Sequence, residues 1–347
     1  MKVNFIILLI VVISFIQTSF LYGQDTSKTI KDILIVENRI PTEFTPSQKV
    51  DAQILQYHQH KSLQQLLELH SNVFVKNYGV GSLSTISIRG CSAAQTYVNW
   101  HGINLNNAMT GITDFSILPS GLFDEIQINY GSELENTSLG GGLELMNKKA
   151  VFRKSRKLSI DVGYESIQNS DMLASYTFSN KYVSNTLKLN AFQGKNQFNY
   201  YNTQLDSTIT LTHANRKHQH IMNDLSIRMN RKNTLSLHTW IQFTQRQIPA
   251  ASFEIVSQKE EKISSARNLL IWNSHINQQI NVEFLMGYLT EKYSYQDEAI
   301  FLRSNTQVNQ IPLKFSSNIK PGHGQLIDVE FNANHAYLNN NQHQALT

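Results

Sequence analysis

The feature that most constrains the fold is a two-residue alternation of apolar and small polar side chains across residues 151–347. In RKLSIDVGYES, the residues Leu158, Ile160, Val162 and Tyr164 share one side of an extended chain, and small or polar residues share the other. Similar runs follow at residues 172–178, 225–229, 235–243, 282–288 and 327–333. Period two is typical of β-strands, and this pattern occurs both in membrane barrels and in soluble sandwiches.

The lengths of the predicted connections favour a barrel. They lie near residues 166–170, 180–184, 194–221, 230–233, 245–266, 275–279, 291–310 and 319–324. After the first, the odd-numbered connections are long and the even-numbered ones are short. Consecutive strands reverse direction, so the long loops lie at one end and the short turns at the other, as in outer-membrane barrels. We predict about nine such strands.

The N-terminus predicts an exported protein. A basic start, MKVN, precedes an apolar run from Phe5 to about Phe20 and a small-residue exit at Tyr22-Gly23. This layout is typical of a secretory signal peptide, which we predict over residues 1–23. An uncleaved anchor is the alternative, although the run is shorter than the roughly 20 residues of a membrane span.

The composition argues against internal disulfides and against nucleic-acid binding. The single cysteine, Cys91, cannot form an internal disulfide, and we expect it to be a small packed residue. The net charge of +4 is spread along the chain, so no nucleic-acid surface is predicted. An exported chain without disulfides needs another source of stability, and a closed barrel would supply it.

Residues 45–150 have a different pattern. The run KSLQQLLEL predicts a helix at Lys61–Leu69, with Ser62 as its N-cap. Short strands are predicted after it, separated by Gly- and Asn-rich turns: Asn72–Lys76, Thr85–Arg89, Thr96–Trp100 and Glu125–Asn129. This is the pattern of a small α+β domain that precedes the strands.

Six motifs of this domain occur in the order that the plug domain of TonB-dependent outer-membrane receptors shows. They are LLELHSNVFV, NYGVGSLST, ISIRG, TYVNWHGINL, FDEIQINYGS and GGGLELMN. The chain therefore resembles this family over roughly residues 30–150, and beyond them in architecture only. The resemblance implies an α+β plug domain followed by antiparallel transmembrane β-barrel strands. We expect a signal peptide at 1–23, a periplasmic arm at 24–44, the plug at 45–150 and an incomplete barrel at 151–347.

The stretch KDILIVENRI resembles the TonB box of such receptors, and is closest to that of the vitamin B12 transporter. The residues assigned to the box are Lys31, Asp32, Ile33, Leu34, Ile35, Val36 and Glu37. An extended apolar segment on an arm suits β-strand addition to a periplasmic partner. An ordinary first strand of the plug is the alternative.

The same resemblance implies that loops 77–82 and 105–114 are the substrate-binding apices of the plug. Candidates for contacts with a polar ligand are Asn77, Tyr78, Gly79, Asn104, Asn106 and Asn107. Turns that simply favour Gly and Asn are the alternative. Residues expected to shape the plug are Arg89, Gly90, Gly102, Gly131, Gly141 and Gly142.

These motifs depart from the family at Ser71-Asn72, His101, Gln127 and Ser132, and two of these departures bear on the turn and on Arg89. His101 stands in place of the Asp in the family's Asp-Gly turn. Gln127 replaces an acidic residue, so Arg89, which the family buries, has lost one acidic partner. An unpaired buried Arg is costly, and we expect Asp124 or another group to compensate.

No catalytic or metal site is expected. His213, His218 and His220, in HANRKHQH, are spaced as metal ligands can be, but they fall in a predicted long extracellular loop without a neighbouring Cys or carboxylate. A solvated loop is therefore predicted. Serine-hydrolase, zinc-protease and phosphate-loop motifs are lacking from the sequence, so neither enzymatic activity nor a cofactor is expected.

The resemblance implies a Gram-negative outer-membrane receptor that imports a scarce nutrient, such as cobalamin or a ferric siderophore, with energy supplied through TonB. The expected partners are TonB, outer-membrane lipid, the small-molecule substrate and a surface lipoprotein that captures substrate. The plug and its arm are expected on the periplasmic side. The alternatives are a truncated non-functional receptor fragment, a passive porin-like pore and a surface adhesin.

Overall fold

The computed structural model describes residues 46–131, 138–204, 206–251, 254, 256–322 and 325–344, with side chains to residue 339. The predicted signal peptide and the predicted TonB box at Lys31–Glu37 lie outside the described residues. Neither helix in this part of the chain is long and apolar enough to cross a membrane.

In its described residues, the N-terminal domain combines two short α-helices and three single 3-10 turns with seven short strands. The helices are α1 (Ala52–Tyr57) and α2 (Leu63–His70). The strands are β1 (Ser47–Lys49), β2 (Phe74–Asn77), β3 (Ser84–Ser87), β4 (Tyr97–Trp100), β5 (Ile103–Asn104), β6 (Glu125–Asn129) and β7 (Gly142–Met146). Five of them form a sheet in the order β1-β6-β7-β4-β5, and β2 pairs with β3. The β4–β7 pair is parallel and the remaining pairs are antiparallel.

Helix α2 agrees with the sequence prediction. The Ser62 hydroxyl accepts from the Gln65 backbone N–H, and the Gln65 side chain accepts from the Ser62 N–H, which completes a capping box. Leu63, Leu66 and Leu67 are fully buried. Local capping and helical spacing therefore place the apolar face of α2 in the core.

The second part of the chain is a nine-stranded antiparallel sheet in which each strand pairs with its neighbours along the chain. Its strands are β8 (Ser155–Glu165), β9 (Asn169–Ser179), β10 (Val183–Gly194), β13 (Arg216–Arg228), β14 (Asn233–Ile248), β15 (Lys259–His275), β16 (Ile280–Asp297), β17 (Leu302–Ile319) and β18 (Ile327–Gln344). A separate hairpin, β11 (Asn199–Asn202) with β12 (Ser207–Thr210), lies in the connection between β10 and β13.

The sheet is apolar on its exposed face and polar on its buried face. Along β14, Leu237 and Phe243 are exposed, whereas Ser236, His238 and Gln242 are buried. The predicted alternation therefore has the phase of a barrel wall, with apolar residues outward and polar residues inward. This confirms the predicted fold class of an α+β domain followed by antiparallel barrel strands.

The three predicted long connections were all too long, and the one predicted at 194–221 ends where β13 begins, at Arg216. The segment predicted as a loop at 291–310 belongs mostly to β16 and β17, which pair from Ile280↔Ile319 to Asp297↔Leu302 and are joined by residues 298–301. The connection predicted at 245–266 spans only residues 249–258. The strands extend beyond the segments in which apolar and polar residues alternate. Backbone pairing does not require an apolar face, so the alternation underestimates the lengths of the strands.

The N-terminal domain packs against the inner face of the sheet through a shared apolar core. Trp100 of β4 is fully buried and its ring centroid lies 5.5 Å from that of Trp240 on β14. Met222, Leu269 and Leu285, on other strands of the sheet, belong to the same cluster. Folding of the domain and docking on the sheet therefore use one continuous core.

The prediction of a buried Arg89 was wrong. Arg89 is exposed and has a φ of +53°, and within the described residues its hydrogen bond is to the Tyr130 carbonyl, at 3.5 Å. Asp124 does not compensate it, because its carboxylate accepts from the Lys148 N–H and pairs with Lys188 at 3.0 Å. Arg89 lies at the tight turn before Gly90 and is exposed there.

Candidate functional site

A cavity of about 660 Å³ lies between two loops of the N-terminal domain and the inner face of β14–β17. The loops contribute Tyr78, Asn107 and Asp114, and the strands contribute Trp240 and Arg246, among others. Its size is in the range of small-molecule sites, roughly 300–1,000 Å³. The cavity therefore brings both predicted apex loops together with barrel residues.

A buried ion network connects the domain to the wall of this cavity. Arg246 Nη1 lies 2.7 Å from Asp114 Oδ2, and Nη2 lies 2.8 Å from Glu261 Oε2. Asp114 is itself held by the backbone N–H groups of Ser84 and Ser116. One guanidinium thus neutralises two carboxylates, in the fork geometry that favours Arg over Lys.

A second polar contact links the same apex loop, 105–114, to the wall. The Asn107 amide nitrogen donates to the Glu291 carboxylate, whose other oxygen pairs with Arg267 at 3.3 Å. The Arg267 guanidinium lies 4.6 Å from the centre of the Trp240 ring, a cation–π contact. These contacts fix the orientation of the cavity-lining amide, carboxylate and indole.

Only two of the six predicted substrate residues, Tyr78 and Asn107, line the cavity. Asn106 shapes its loop instead, donating to the carbonyls of Thr96 and Gly111. Asn104 accepts from the Asn106 N–H, and Asn77 accepts from the N–H of Gly79 at the exposed end of the other loop. The side chains of Asn77, Asn104 and Asn106 therefore stabilise their own loops. Tyr78 and Asn107 are the predicted residues that line the cavity.

Sequence reasoning missed the residues that the strands contribute. Arg246, Glu261 and Tyr293 line the cavity, but they lie in or at the ends of segments predicted as loops. One signal was present for Arg246, because it continues the inward phase of Gln242 and Thr244 along β14. The segment also lacks Gly or Pro before Pro249, which is compatible with a strand that continues.

The prediction of a solvated loop at HANRKHQH was wrong for two of its three histidines, whereas His213 lies in the connection before β13 and is half-buried. His218 and His220 lie on β13 and are buried. His220 Nε2 lies 3.0 Å from the Ile117 carbonyl oxygen, and Trp240 Nε1 donates to His220 Nδ1 at 3.2 Å. Both ring nitrogens of His220 are therefore occupied, and its role is to dock the domain on the wall.

The predicted turn at His101-Gly102 is present and joins β4 to β5. Both residues have positive φ, +50° and +77°, the combination of a type I′ turn. The turn points the His101 ring at His238, with ring centroids 3.9 Å apart, and His238 Nδ1 lies 2.6 Å from Asp224 Oδ1. Burial, with the neighbouring His238 as second cause, lowers the pKa of His101 to about 3, so this ring is neutral at neutral pH.

Two of the predicted structural glycines are required by close backbone approach. A Cβ at Gly141, where φ is +98°, would lie 2.1 Å from the Asn129 carbonyl oxygen, and one at Gly142 would lie 2.3 Å from that of Tyr97. By contrast, a Cβ at Gly90 would meet nothing within 4 Å. The start of β7 therefore packs against β4 and β6 only because side chains are absent there.

Comparison with known proteins identifies the N-terminal domain and the fold. Residues 42–141 match the family model of the TonB-dependent Receptor Plug Domain. No curated protein sequence matches the chain. Among solved structures, the copper transporter OprC has a TM-score of 0.72 at 10% identity, over 85% of this chain and 47% of its own.

Two further solved structures give the same result. The ferripyoverdine receptor of the outer membrane of Pseudomonas aeruginosa matches with a TM-score of 0.69 at 11% identity, over 87% of this chain and 44% of its own. The alcaligin outer-membrane receptor FauA from Bordetella pertussis matches at 0.65 and 9%, over 87% and 49%. The chain thus spans less than half of each of these three structures. It carries a TonB-dependent receptor plug domain, followed by antiparallel strands with the fold of outer-membrane receptor barrels.

Proposed function

We propose that the chain is the plug-bearing part of an outer-membrane receptor that binds a scarce nutrient in the cavity described above and imports it with energy supplied through TonB. The observation that carries the proposal is that plug loops and barrel strands form the cavity jointly. A ligand held there contacts both parts, so a displacement of the plug would break its contacts with the plug loops. A passive pore or an adhesin has no use for that arrangement.

The proposed energy-transducing partner is TonB, which would pair with Lys31–Glu37 by β-strand addition. This rests on the resemblance of KDILIVENRI to a TonB box. We propose that the plug and its arm face the periplasm, where such a partner reaches them. A surface lipoprotein that hands substrate to the cavity is a further proposed partner.

The charges of the cavity favour a polar ligand of small net charge. Three carboxylates and three cations line it: Asp114, Glu261, Glu291, Arg246, Lys259 and Arg267. Arg246 and Arg267 are already paired with carboxylates, and so is Lys259, which pairs with Glu254. A highly anionic ligand would therefore have to displace existing partners. Of the two substrate classes expected from the sequence, this favours amide-rich cobalamin over an anionic ferric siderophore.

The solved neighbours do not choose between these substrates. Their titles name a copper transporter, a ferripyoverdine receptor, and a hemophore receptor in complex with its hemophore and heme. At identities of 10–11%, these structures show the fold of this chain but do not indicate its ligand. The proposal is therefore tested with both ligand classes.

The decisive experiment removes the box and leaves the cavity intact. In cells that make the whole receptor, deletion of residues 31–37 should abolish accumulation of labelled cobalamin or ferric siderophore, while binding to isolated outer membranes stays unchanged. Deletion of residues 24–30, equally long and in the same arm, is the matched control and should keep uptake. Uptake that persists without residues 31–37 would rule out energised import and favour a passive pore.

The cavity is tested separately. Tyr78→Ala should weaken ligand binding at least tenfold, because Tyr78 lines the cavity. Tyr182→Ala is the control, since Tyr182 is similarly exposed, 56% against 54%, but lies in the turn between β9 and β10. Equal effects of the two variants would contradict this site. The absence of any folded, heat-modifiable band from outer membranes would favour the truncated fragment.

A further inference from the structure

A cluster of two histidines and one aspartate lies between the plug and the barrel, outside the ligand cavity. His101 comes from the β4–β5 turn of the plug, Asp224 from β13 and His238 from β14. Asp224 and His238 are directly paired in the β13–β14 ladder. Each of the three residues offers one ligand atom, and these atoms lie within 4.8 Å of one another.

The strands present their two ligands together for a simple reason. Asp224 and His238 are cross-strand partners, so both side chains project from the same face of the sheet. His238 is buried, and the side chain of Asp224 is only 11% exposed. The plug turn then brings the third residue onto this pair, because positive φ at both turn positions directs His101 toward the wall.

A hydrogen-bonded pair of Asp224 and His238 explains two members of the cluster and leaves the third unexplained. His101 Nε2 is buried and has no hydrogen-bond partner among the residues that the structure describes, and it lies 4.0 Å from Asp224 Oδ1. At 4.0 Å this contact is too long for a hydrogen bond. A buried polar atom without a partner is costly, and it calls for an explanation such as an ion.

We propose that His101, Asp224 and His238 bind a divalent transition metal of the zinc class, which links the plug to the barrel wall. Two imidazoles and one carboxylate are ligands that suit such ions, and three protein ligands leave one position open. Ligand atoms on one tetrahedral Zn²⁺ are roughly 3.3 Å apart, given bonds of about 2.0–2.2 Å. Binding would therefore open the 2.6 Å His238–Asp224 contact and close the 4.0 Å His101–Asp224 gap.

The position of the cluster gives the ion a mechanical role. Trp100 contacts the rings of both His101 and His238, and it packs on Trp240, which lines the ligand cavity. A metal ion would replace the 3.9 Å ring contact between His101 and His238 with coordinate bonds between plug and wall. The site does not depend on transport, so it can be tested whether or not the proposed import is correct.

The test measures Zn²⁺ binding to the purified, metal-stripped full chain in detergent by equilibrium dialysis with elemental analysis. His101→Asn is the informative variant, because Asn tolerates positive φ and preserves the turn. It and Asp224→Asn should each weaken binding at least tenfold, since even second-shell changes cost about 10–100-fold. His275→Asn, on the next strand and bonded to Asn281, is the matched control and should bind as the unaltered chain does.

Cu²⁺ provides a second readout that identifies the ligands. Electron paramagnetic resonance should show coupling to two imidazole nitrogens in the unaltered chain and to one in His101→Asn. Circular dichroism and heat-modifiable migration confirm that each variant is folded, and if Asp224→Asn fails this check, His101→Asn decides alone. Equal Zn²⁺ affinity of the unaltered chain and His101→Asn, or no binding to either, would overturn the proposal.

Discussion

Arg246 Nη1 lies 2.7 Å from Asp114 Oδ2, so a buried ion pair joins the barrel wall to a plug loop that is 132 residues away in sequence. The side chains are 6% and 10% exposed. At this burial the pair is screened little by solvent or salt. It therefore couples the position of loop 105–114 to β14 and defines one wall of the ligand cavity.

Arg246→Ala should lower the free energy of unfolding by about 3–5 kcal/mol, because it leaves the Asp114 and Glu261 carboxylates buried without their shared cation. Thermal unfolding in detergent, followed by loss of heat-modifiable migration, measures the change. Lys262→Ala is the control, since the half-exposed Lys262 pairs with Glu260 at 3.2 Å, and such surface pairs contribute at most about 1 kcal/mol. Equal shifts in the two variants would show that the network contributes no special stability.

Lys188 and Asp124 should behave as a coupled pair. The Lys188 ammonium lies 3.0 Å from Asp124 and donates to the Leu122 carbonyl at 2.9 Å, with its side chain 6% exposed. Asp124→Asn leaves the Lys188 ammonium without its counter-charge. Lys188→Met removes the ammonium, so in the double variant neither charge is left unpaired. The double variant should therefore be more stable than the sum of the single changes, with a coupling of about 0.5–3 kcal/mol. Additive effects in chemical denaturation would contradict a direct interaction.

Gly141→Ala should destabilise the plug much more than Gly90→Ala. Both glycines have positive φ, +98° and +76°, so each variant pays the strain of about 1–2 kcal/mol for a side chain there. Only the new methyl group at position 141 would also collide with the Asn129 carbonyl. We expect a total cost above about 4 kcal/mol for Gly141→Ala. Similar rates of limited proteolysis within the plug for the two variants would refute this.

The plug should lose stability as the pH falls through about 6.5, in part because of His58. Burial, followed by the neighbouring His70, lowers the pKa of His58 below its ordinary value, and the two Nε2 atoms are 2.9 Å apart. The unfolded chain therefore binds the proton at a higher pH than the folded chain does, and acid favours unfolding. Buried His101 acts in the same direction. The variant His58→Asn removes the contribution of His58. It should reduce the change of the unfolding midpoint with pH between pH 7.5 and 5. An unchanged pH dependence in this variant would exclude a contribution of His58.

The sequence determined those features that depend on neighbouring residues. The capping box places the start of α2 at Leu63, because Ser62 and Gln65 are three residues apart. His101-Gly102 predicts a turn, and the alternation along β14 predicts which side chains share a face. The order of six short motifs then identified the plug, because each motif encodes a local backbone shape.

Only the tertiary structure decided which polar residues meet. Arg89, expected to be buried, lies at the surface, whereas Arg246 and His220, in segments expected to be loops, are buried against the plug. Burial and charge pairing depend on what lies across the interface, and the partners here are 132 residues apart for Arg246 and 103 for His220. The His101–Asp224–His238 cluster has the same origin: a turn places one ligand, a ladder places two, and only docking of the plug brings them together.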